Sequence, residues 1–262
     1  MKNKPINILA TLACGLLSLP HPAVADTIFT INNNTADAFL ATGSAGNPVG
    51  TDLTSLNFGG VGTLAIAPAS STKGEFDSII KFNLAGAVSQ FNSTYGVGNW
   101  QITGLTLKLA SSFGTQGTQP GNNLFNTINA GSFALRWLSY DSWVEGTGGG
   151  NSSVSFNSIA TLFSGTHDSL GAFTYTPPGN NVYVSYTLPL DAGLVTDATA
   201  GGDVSLYFSP NDNQIGYLFN SRSFAGNTPE FMVQAGAVPE PSTVALLAMS
   251  FSVFLFARKI IH

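Results

Sequence analysis

Five side chains have the types and spacing that could bind a carbohydrate. Arg136, Tyr140, Trp143 and Glu145 lie close together in the sequence, and Arg222 follows later in the chain. Aromatic faces stack on sugar rings, and an arginine can hold a uronic carboxylate through two parallel hydrogen bonds. A carboxylate can accept a hydrogen bond from a sugar hydroxyl. We therefore take these five residues as candidate glycan contacts.

Each candidate also has a purely structural interpretation. Trp137 and Trp143 could fill a core, with Arg136 pointing outward from the same strand as Trp137. Glu145 follows Trp143 by two residues, a spacing that puts both on one face of a strand. There Glu145 could accept backbone hydrogen bonds in a turn, and Arg222 could pair with a nearby carboxylate. The sequence leaves both interpretations open.

Catalytic chemistry finds little support in the sequence. Between residues 26 and 236 the one histidine is His167, which excludes a histidine metal cage and a multi-histidine catalytic centre. No serine lies in a nucleophile-elbow pattern. Asp141 and Glu145 could act in acid-base hydrolysis only at a suitable separation, so a glycan-active hydrolase is a minor alternative. We predict a protein that is not an enzyme and has no cofactor.

Calcium is the metal for which the sequence offers candidate ligands. Asp203 and the run Asn211-Asp212-Asn213 offer oxygen ligands in predicted surface turns. The EF-hand pattern is broken, because Ile215 stands where a third oxygen donor belongs and Arg222 where the bidentate glutamate belongs. We therefore interpret these residues as turn residues and predict no metal site.

The segments that position these residues have the apolar patterns of β-strands. Alternating or continuous apolar runs occur at 27–31, 78–84, 101–109, 133–138, 171–175, 181–188, 203–208, 214–219 and 230–234. Segments 84–91 and 191–198 are predicted to be short connecting helices, and 43–62 and 111–123 long polar loops. Gly104 is predicted to mark a bulge. The pattern indicates an all-β, jelly-roll-like sandwich of two sheets.

The composition limits the class of partner. Between Asp26 and Glu240 there are five basic and fourteen acidic side chains, a net charge of minus nine. Such a body repels nucleic acid and anionic lipid, so we predict no nucleic-acid partner. No linker divides residues 26–236, which are predicted to form one domain.

The amino-terminal residues read as a signal peptide covering residues 1–25. Lys2 and Lys4 precede an apolar run over 6–19, and Ala23 and Ala25 form a small-x-small cleavage pattern. The Sec translocon and signal peptidase are the partners this predicts. Cys14 could instead mark lipid attachment, but Thr11 occupies a position where an aliphatic residue is normal. A chain cut after Ala25 has no cysteine, so its stability comes from core burial.

The carboxy-terminal segment, 237–262, reads as a short membrane anchor. An uncharged run over 243–257 precedes Arg258 and Lys259, and its apolar side chains include Leu246, Leu247, Phe251, Phe254, Leu255 and Phe256. Fifteen helical residues span about 22 Å, against a hydrocarbon core of about 30 Å, so the basic pair must snorkel. A buried carboxy-terminal helix is the alternative. With Arg258 and Lys259 on the cytoplasmic side, the positive-inside rule places residues 26–236 outside the inner membrane. The short anchor is expected to hold them there transiently.

Residues Val238-Pro239-Glu240-Pro241, followed by the apolar run and the basic end, resemble the PEP-CTERM sorting signal of Gram-negative bacteria that make exopolysaccharide. The resemblance implies recognition by an exosortase, cleavage near Pro239, Glu240 and Pro241, and release or transfer of the body to the cell surface. The two prolines can also serve as a stiff spacer between a strand and a helix.

The body resembles the DNRLRE-like β-sandwich domains of secreted bacterial proteins, some of which bind carbohydrate. The residues that carry the resemblance are Asp26-Thr27, Ala36-Asp37-Ala38, Ser78-Ile79-Ile80-Lys81-Phe82-Asn83-Leu84, Trp143-Val144-Glu145-Gly146-Thr147-Gly148, Val154-Ser155-Phe156-Asn157, Phe219-Asn220-Ser221-Arg222 and Pro229-Glu230-Phe231. Two positions depart from the family's pattern. Ser223 stands where an acidic partner for the arginine is expected, and Phe156 stands in place of a tryptophan.

Together these features predict an exported protein of the cell surface or extracellular matrix. Its expected role is structural or adhesive, in the envelope or the exopolysaccharide matrix. The alternative is a non-catalytic polysaccharide-binding module.

Overall fold

A computed structural model of the chain describes residues 25–43, 51–112, 131–147, 153–176, 179–213 and 216–238. Most of the predicted signal peptide, including Cys14 and Ala23, lies outside these ranges, as does everything from Pro239 to the carboxy terminus. Within the described ranges no helix is long and apolar enough to cross a membrane. Residues Asp26–Gly236 form one compact unit.

In the residues that the structure describes, the unit is built mainly of antiparallel strands, joined by turns and three short helices. The strands are β1 (Thr27–Ile31), β2 (Ala36–Ala41), β3 (Phe58–Gly59), β4 (Thr63–Ile66), β5 (Phe76–Asn83), β6 (Trp100–Ala110), β7 (Gly131–Leu138), β8 (His167–Tyr175), β9 (Tyr183–Leu188), β10 (Asp203–Pro210), β11 (Tyr217–Asn220) and β12 (Glu230–Ala237). The helices are α1 (Ala85–Tyr95), α2 (Ile159–Leu162) and α3 (Ala192–Ala200), and a 3₁₀ turn (Phe156–Ser158) precedes α2.

Two larger sheets enclose the main core. One has the order β1-β12-β6-β9 and the other β3-β2-β5-β10-β7-β8, while β11 and β4 form a separate pair. Leu105, Leu107 and Leu109 of β6 are buried in one cluster with Phe133 of β7 and Leu206 of β10. Side chains from alternate positions of both sheets thus interdigitate, which is the arrangement of a β-sandwich.

The outer face of the six-stranded sheet is covered as well. Every residue of β5 except Asn83 is buried, because Ile80 and Phe82 face the main core while Ile79 packs in a second cluster on the other side. Residues 139–147 and 153–163, here called the covering segment, supply that second cluster with Trp143 and Leu162. The candidate glycan contacts on this segment therefore lie over a sheet face.

The prediction of a β-rich, sandwich-like fold is confirmed. Each predicted strand overlaps an observed one, and α1 and α3 lie where the connecting helices were predicted. Asp191 caps α3, since its carboxylate accepts hydrogen bonds from the N–H groups of Gly193 and Leu194 at 2.9 and 3.1 Å. In β6 the alternation of buried residues changes phase at Gly104, as a bulge there would cause.

Strands β2 and β4 were not predicted from the sequence, and the prediction of a loop over 43–62 is wrong at Phe58–Gly59, where β3 pairs with β2. Strand β2 is rich in alanine, which has low β propensity, and it is buried on both faces, so its sequence does not alternate. Strands β3 and β4 have two and four residues, too few for a periodic pattern.

Candidate functional site

An open cleft of about 200 Å³ lies in the covering segment. Its walls combine five hydroxyl-bearing side chains with apolar ones, namely Tyr140, Ser142, Trp143, Val144, Ser153, Val154, Ser158, Thr161 and Leu162. No Lys, Arg, Asp or Glu occurs among these described residues. The cleft is thus uncharged, and hydroxyl groups beside an aromatic ring suit a neutral polyhydroxylated ligand.

Trp143 is a core residue rather than an open stacking platform. Its side chain is buried, with 5% of its surface exposed, and its indole N–H donates to Ser205 Oγ at 2.8 Å. The Lys81 ammonium lies 4.6 Å from the ring centroid, in a cation-π contact. A sugar ring has no free face of this indole on which to stack. Tyr140, which is half-buried, is the more accessible aromatic side chain of the cleft.

Lys81 attaches the covering segment to the sheet. Its ammonium donates to the carbonyl oxygens of Asp141 and Trp143 at 2.6 and 2.9 Å, and it lies 3.9 Å from the Asp203 carboxylate. Only 7% of Lys81 is exposed, so these oxygens replace the water that its charge would otherwise bind. The signal in the sequence was a single lysine within an apolar strand, which the sequence analysis did not use.

Asp141 is held beside Lys81 by Ser205, whose hydroxyl donates to the carboxylate. Burial raises the pKa of Asp141 to about 6, and the hydrogen bond from Ser205 opposes that rise. The group is therefore perturbed, as groups at functional sites often are. The groups that contact Asp141 are Ser205 and Lys81, however, and these contacts hold the covering segment against the sheet.

Glu145 and Arg222 meet across the fold in an ion pair. Arg222 Nε and Nη2 both lie 2.6 Å from Glu145 Oε2, and Glu145 Oε1 accepts a hydrogen bond from the Gly60 N–H at 3.0 Å. Glu145 is buried, whereas 42% of the Arg222 side chain is exposed. Glu145 thus accepts a backbone hydrogen bond, as its structural interpretation predicted, and it is also the carboxylate partner of Arg222.

Asn57 holds the segment around Glu145, a role that the sequence analysis missed. Its amide nitrogen donates to the carbonyl oxygens of Glu145 and Val154 at 2.6 and 2.7 Å. The chain approaches closely here, since a Cβ on Gly59 would lie 2.2 Å from the Glu145 carbonyl oxygen. A buried asparagine is hard to recognise from sequence, because the same residue type is common in exposed loops.

Asp37, on β2, lies next to the same ion pair. Its Oδ2 accepts hydrogen bonds from the Arg222 N–H at 2.7 Å and from Asn34 Nδ2 at 2.8 Å. Burial raises the pKa of Asp37 to about 6, although both hydrogen bonds oppose the rise. Arg222 is thereby fixed twice, through its main chain by Asp37 and through its side chain by Glu145.

The remaining candidate, Arg136, lies elsewhere on the sheet. It points outward from β7, with its guanidinium carbon 6.0 Å from the centre of the Phe163 ring, while the adjacent Trp137 is in the main core. The structure therefore brings together Tyr140 with Trp143, and Glu145 with Arg222. It does not place Arg136 among the described residues that line the cleft.

The oxygen-rich turn around residues 211–213 is occupied by its own hydrogen bonds. Asp212 Oδ2 accepts from the Ser132 N–H at 2.6 Å, and Asn211 Nδ2 donates to Ser132 Oγ at 2.9 Å. Asp203 accepts from Asn83 Nδ2 at 2.9 Å. Over the ranges that the structure covers, no group of three or more His, Cys, Asp or Glu side chains could hold a metal ion.

No protein-family model matches the chain, and no curated protein matches it.

Proposed function

We propose that the chain is an exported, non-enzymatic protein of the cell surface or extracellular matrix of a Gram-negative bacterium, sorted and cut by an exosortase. The observation that carries the proposal is the order of signals in the sequence. A basic and apolar leader precedes the body, and Pro239-Glu240-Pro241, an apolar run and a basic pair follow it. Its role is structural or adhesive, in the envelope or the exopolysaccharide matrix.

The fold is compatible with cleavage at both ends. Strand β1 begins at Thr27, after the proposed cut that follows Ala25, and β12 ends at Ala237, before Pro239. Both cuts would leave every strand of the Asp26–Gly236 unit intact. A body that keeps its sheets after processing can persist outside the cell, and it needs no disulfide because residues 26–236 contain no cysteine.

The finer fold that we propose is a jelly-roll-like, DNRLRE-like β-sandwich. Two of the segments that resemble this family, Trp143–Gly148 and Phe219–Arg222, are far apart in sequence but meet through the Glu145–Arg222 ion pair. That contact offers an explanation for one departure from the family's pattern. Although Ser223 replaces the expected acidic neighbour, Glu145 supplies the carboxylate from the covering segment.

Processing tests the proposal directly. In a host that has an exosortase, we expect the wild-type chain at the surface or in the medium, shortened at both ends. A variant with Pro239→Ala, Glu240→Ala and Pro241→Ala should stay in the membrane fraction with its tail attached, while a Ser242→Ala control should behave as the wild type. Equal processing of the triple variant, or full-length wild type in the cytosol, would contradict the proposal.

Polysaccharide binding is the second candidate function, and the uncharged cleft beside Tyr140 is the observation that favours it. Affinity electrophoresis in gels that contain polysaccharide measures this binding. A binding module should be retarded, and Tyr140→Ala should reduce the retardation, whereas Val97→Ala, on a side chain that is 82% exposed, should not. If the protein migrates without retardation in gels that contain neutral or acidic polysaccharide, polysaccharide binding is contradicted and the structural or adhesive role remains.

A further inference from the structure

The two ends of the compact unit lie side by side. Strands β1 and β12 are antiparallel, and Thr27 near the start of the unit is opposite Ala235 near its end. The same register, continued by one residue, puts Asp26 opposite Gly236. The side chains agree with this, because a Cβ on Gly236 would lie 2.5 Å from Asp26 Oδ1. Adjacent strands are about 5 Å apart, so the chain enters and leaves the unit at nearly the same point.

Hydrogen bonds hold the first residue of the unit in this position. Asp26 Oδ2 accepts from Thr103 Oγ1 of β6 at 2.9 Å and from Gln234 Nε2 of β12 at 2.8 Å. The Tyr95 hydroxyl of α1 lies 2.9 Å from the Thr27 hydroxyl of β1 and 2.9 Å from a main-chain oxygen of β12. The start of β1 therefore cannot move away from the end of β12 without breaking these contacts.

Both proposed processing sites are within a few residues of this point. The proposed leader cut follows Ala25, directly before Asp26, and β12 ends at Ala237, just before the sorting signal Pro239-Glu240-Pro241. An extended chain spans at most about 3.6 Å per residue, so the sorting signal begins within about 11 Å of Gly236. A chain that still carries its leader therefore holds the end of that leader close to the sorting signal.

We propose that the leader must be removed before the exosortase can cut the tail, an inference that rests on the proposed sorting function. A transmembrane helix is about 10 to 12 Å wide with its side chains, as much as the distance from Gly236 to the sorting signal. A membrane protease has to enclose the bond that it cuts. An uncut leader occupies one side of that bond, and the contacts of Asp26 prevent it from moving aside.

Blocking the leader cut tests this order in a host that has an exosortase. Ala23→Leu with Ala25→Leu removes the small side chains of the cleavage pattern, so the leader should stay attached. Tail removal should then be lost as well, and the full-length chain should collect in the membrane fraction. Ala10→Leu, within the apolar run of the leader, is the matched control and should lose both ends. Mass spectrometry of the terminal peptides detects each cut separately.

A spacer distinguishes steric blocking from a general defect in export or folding. A spacer of about twenty glycine and serine residues between Ala237 and Val238 moves the sorting signal away from the unit by about 25 Å on average. With this spacer, the chain that keeps its leader should lose its tail again, because the exosortase can then enclose the signal. The same spacer in the wild type should leave both cuts unchanged.

Pulse-chase labelling of the wild type gives a second measurement that needs no variant. A form without the leader but with the tail should appear first, and a form with the leader but without the tail should not appear. Normal tail removal from the leader-blocked chain, or no rescue by the spacer, would overturn the proposed order and leave exosortase sorting in place. If the wild type itself keeps its tail, the sorting function is contradicted and the order falls with it.

Discussion

Replacing Asp77 by asparagine should make the protein more stable at neutral pH. Asp77 lies on β5, is 3% exposed, and accepts a hydrogen bond from the Tyr207 hydroxyl. Burial raises its pKa from 3.8 to about 7, against the opposing effect of that hydrogen bond. Asparagine has nearly the same shape and can still accept from Tyr207, but it cannot ionise.

The sign follows from proton binding. Between about pH 4 and pH 7 the folded chain keeps a proton on Asp77 that the unfolded chain has lost, so the free energy of unfolding falls as the pH rises. Each pH unit across this window corresponds to about 1.4 kcal/mol, which gives up to about 4 kcal/mol for a pKa of about 7. The stabilisation is complete below pH 4 and is lost above pH 7.

Urea unfolding at pH 4.5 and pH 8, followed by tryptophan fluorescence, measures the effect. At pH 4.5 the Asp77→Asn variant should differ from the wild type by no more than about 1 kcal/mol, and at pH 8 it should be more stable by about 2 to 4 kcal/mol. In the Asp77→Asn variant the free energy of unfolding should still fall somewhat as the pH rises, because Asp37 and Asp141 also have raised pKa values.

Asp52 is the control for this experiment, because hydrogen bonds from Thr54 lower its pKa and it is exposed. Its ionised form therefore supports the fold above about pH 4, so Asp52→Asn should lose stability at neutral pH rather than gain it. Equal pH slopes for the wild type and Asp77→Asn, or a variant that is the less stable one at pH 8, would refute the reasoning.

Three further substitutions test the contacts that hold the covering segment and α3. Lys81→Met should cost about 2 to 4 kcal/mol in urea unfolding, because the carbonyl oxygens of Asp141 and Trp143 lose their donor. Arg222→Ala should cost about 1 to 3 kcal/mol, and little further should be lost when Glu145→Gln is already present, as a double-mutant cycle will show. Asp191→Ala should remove the α3 cap and cost about 1 kcal/mol by the same assay.

Strands with one solvated face or with a continuous apolar run could be predicted from the sequence. In β6, Leu105, Leu107 and Leu109 are buried while Thr106 and Lys108 are not, so the alternation is visible in the residue types. The start of α3 could also be predicted from the sequence, because its cap is a local contact. The Asp191 side chain accepts hydrogen bonds from the N–H groups of Gly193 and Leu194 in the first turn of the helix. Strand β5, which is buried on both faces, was predicted from the apolar run over 78–84.

The candidate site could be predicted only in its local geometry. Trp143 and Glu145 are both buried and Val144 between them is 59% exposed, as the two-residue spacing indicated. The pairing of Glu145 with Arg222 spans 77 residues and depends on how the strands are ordered. Pairing over that distance leaves no periodic trace, so the sequence supported both a glycan contact and an ion pair for Arg222.

The cleft in the covering segment depends on contacts between that segment and the sheet beneath it. Its polar attachments come from strand residues: Lys81 holds residues 141 and 143, and Ser205 holds Trp143. Asn57, next to β3, holds Glu145 and Val154. Loss of one such bond should therefore change the shape of the cleft before it affects the sandwich core, which packs through other side chains. A change in polysaccharide retardation without loss of the folded core is thus the result that connects the cleft to binding.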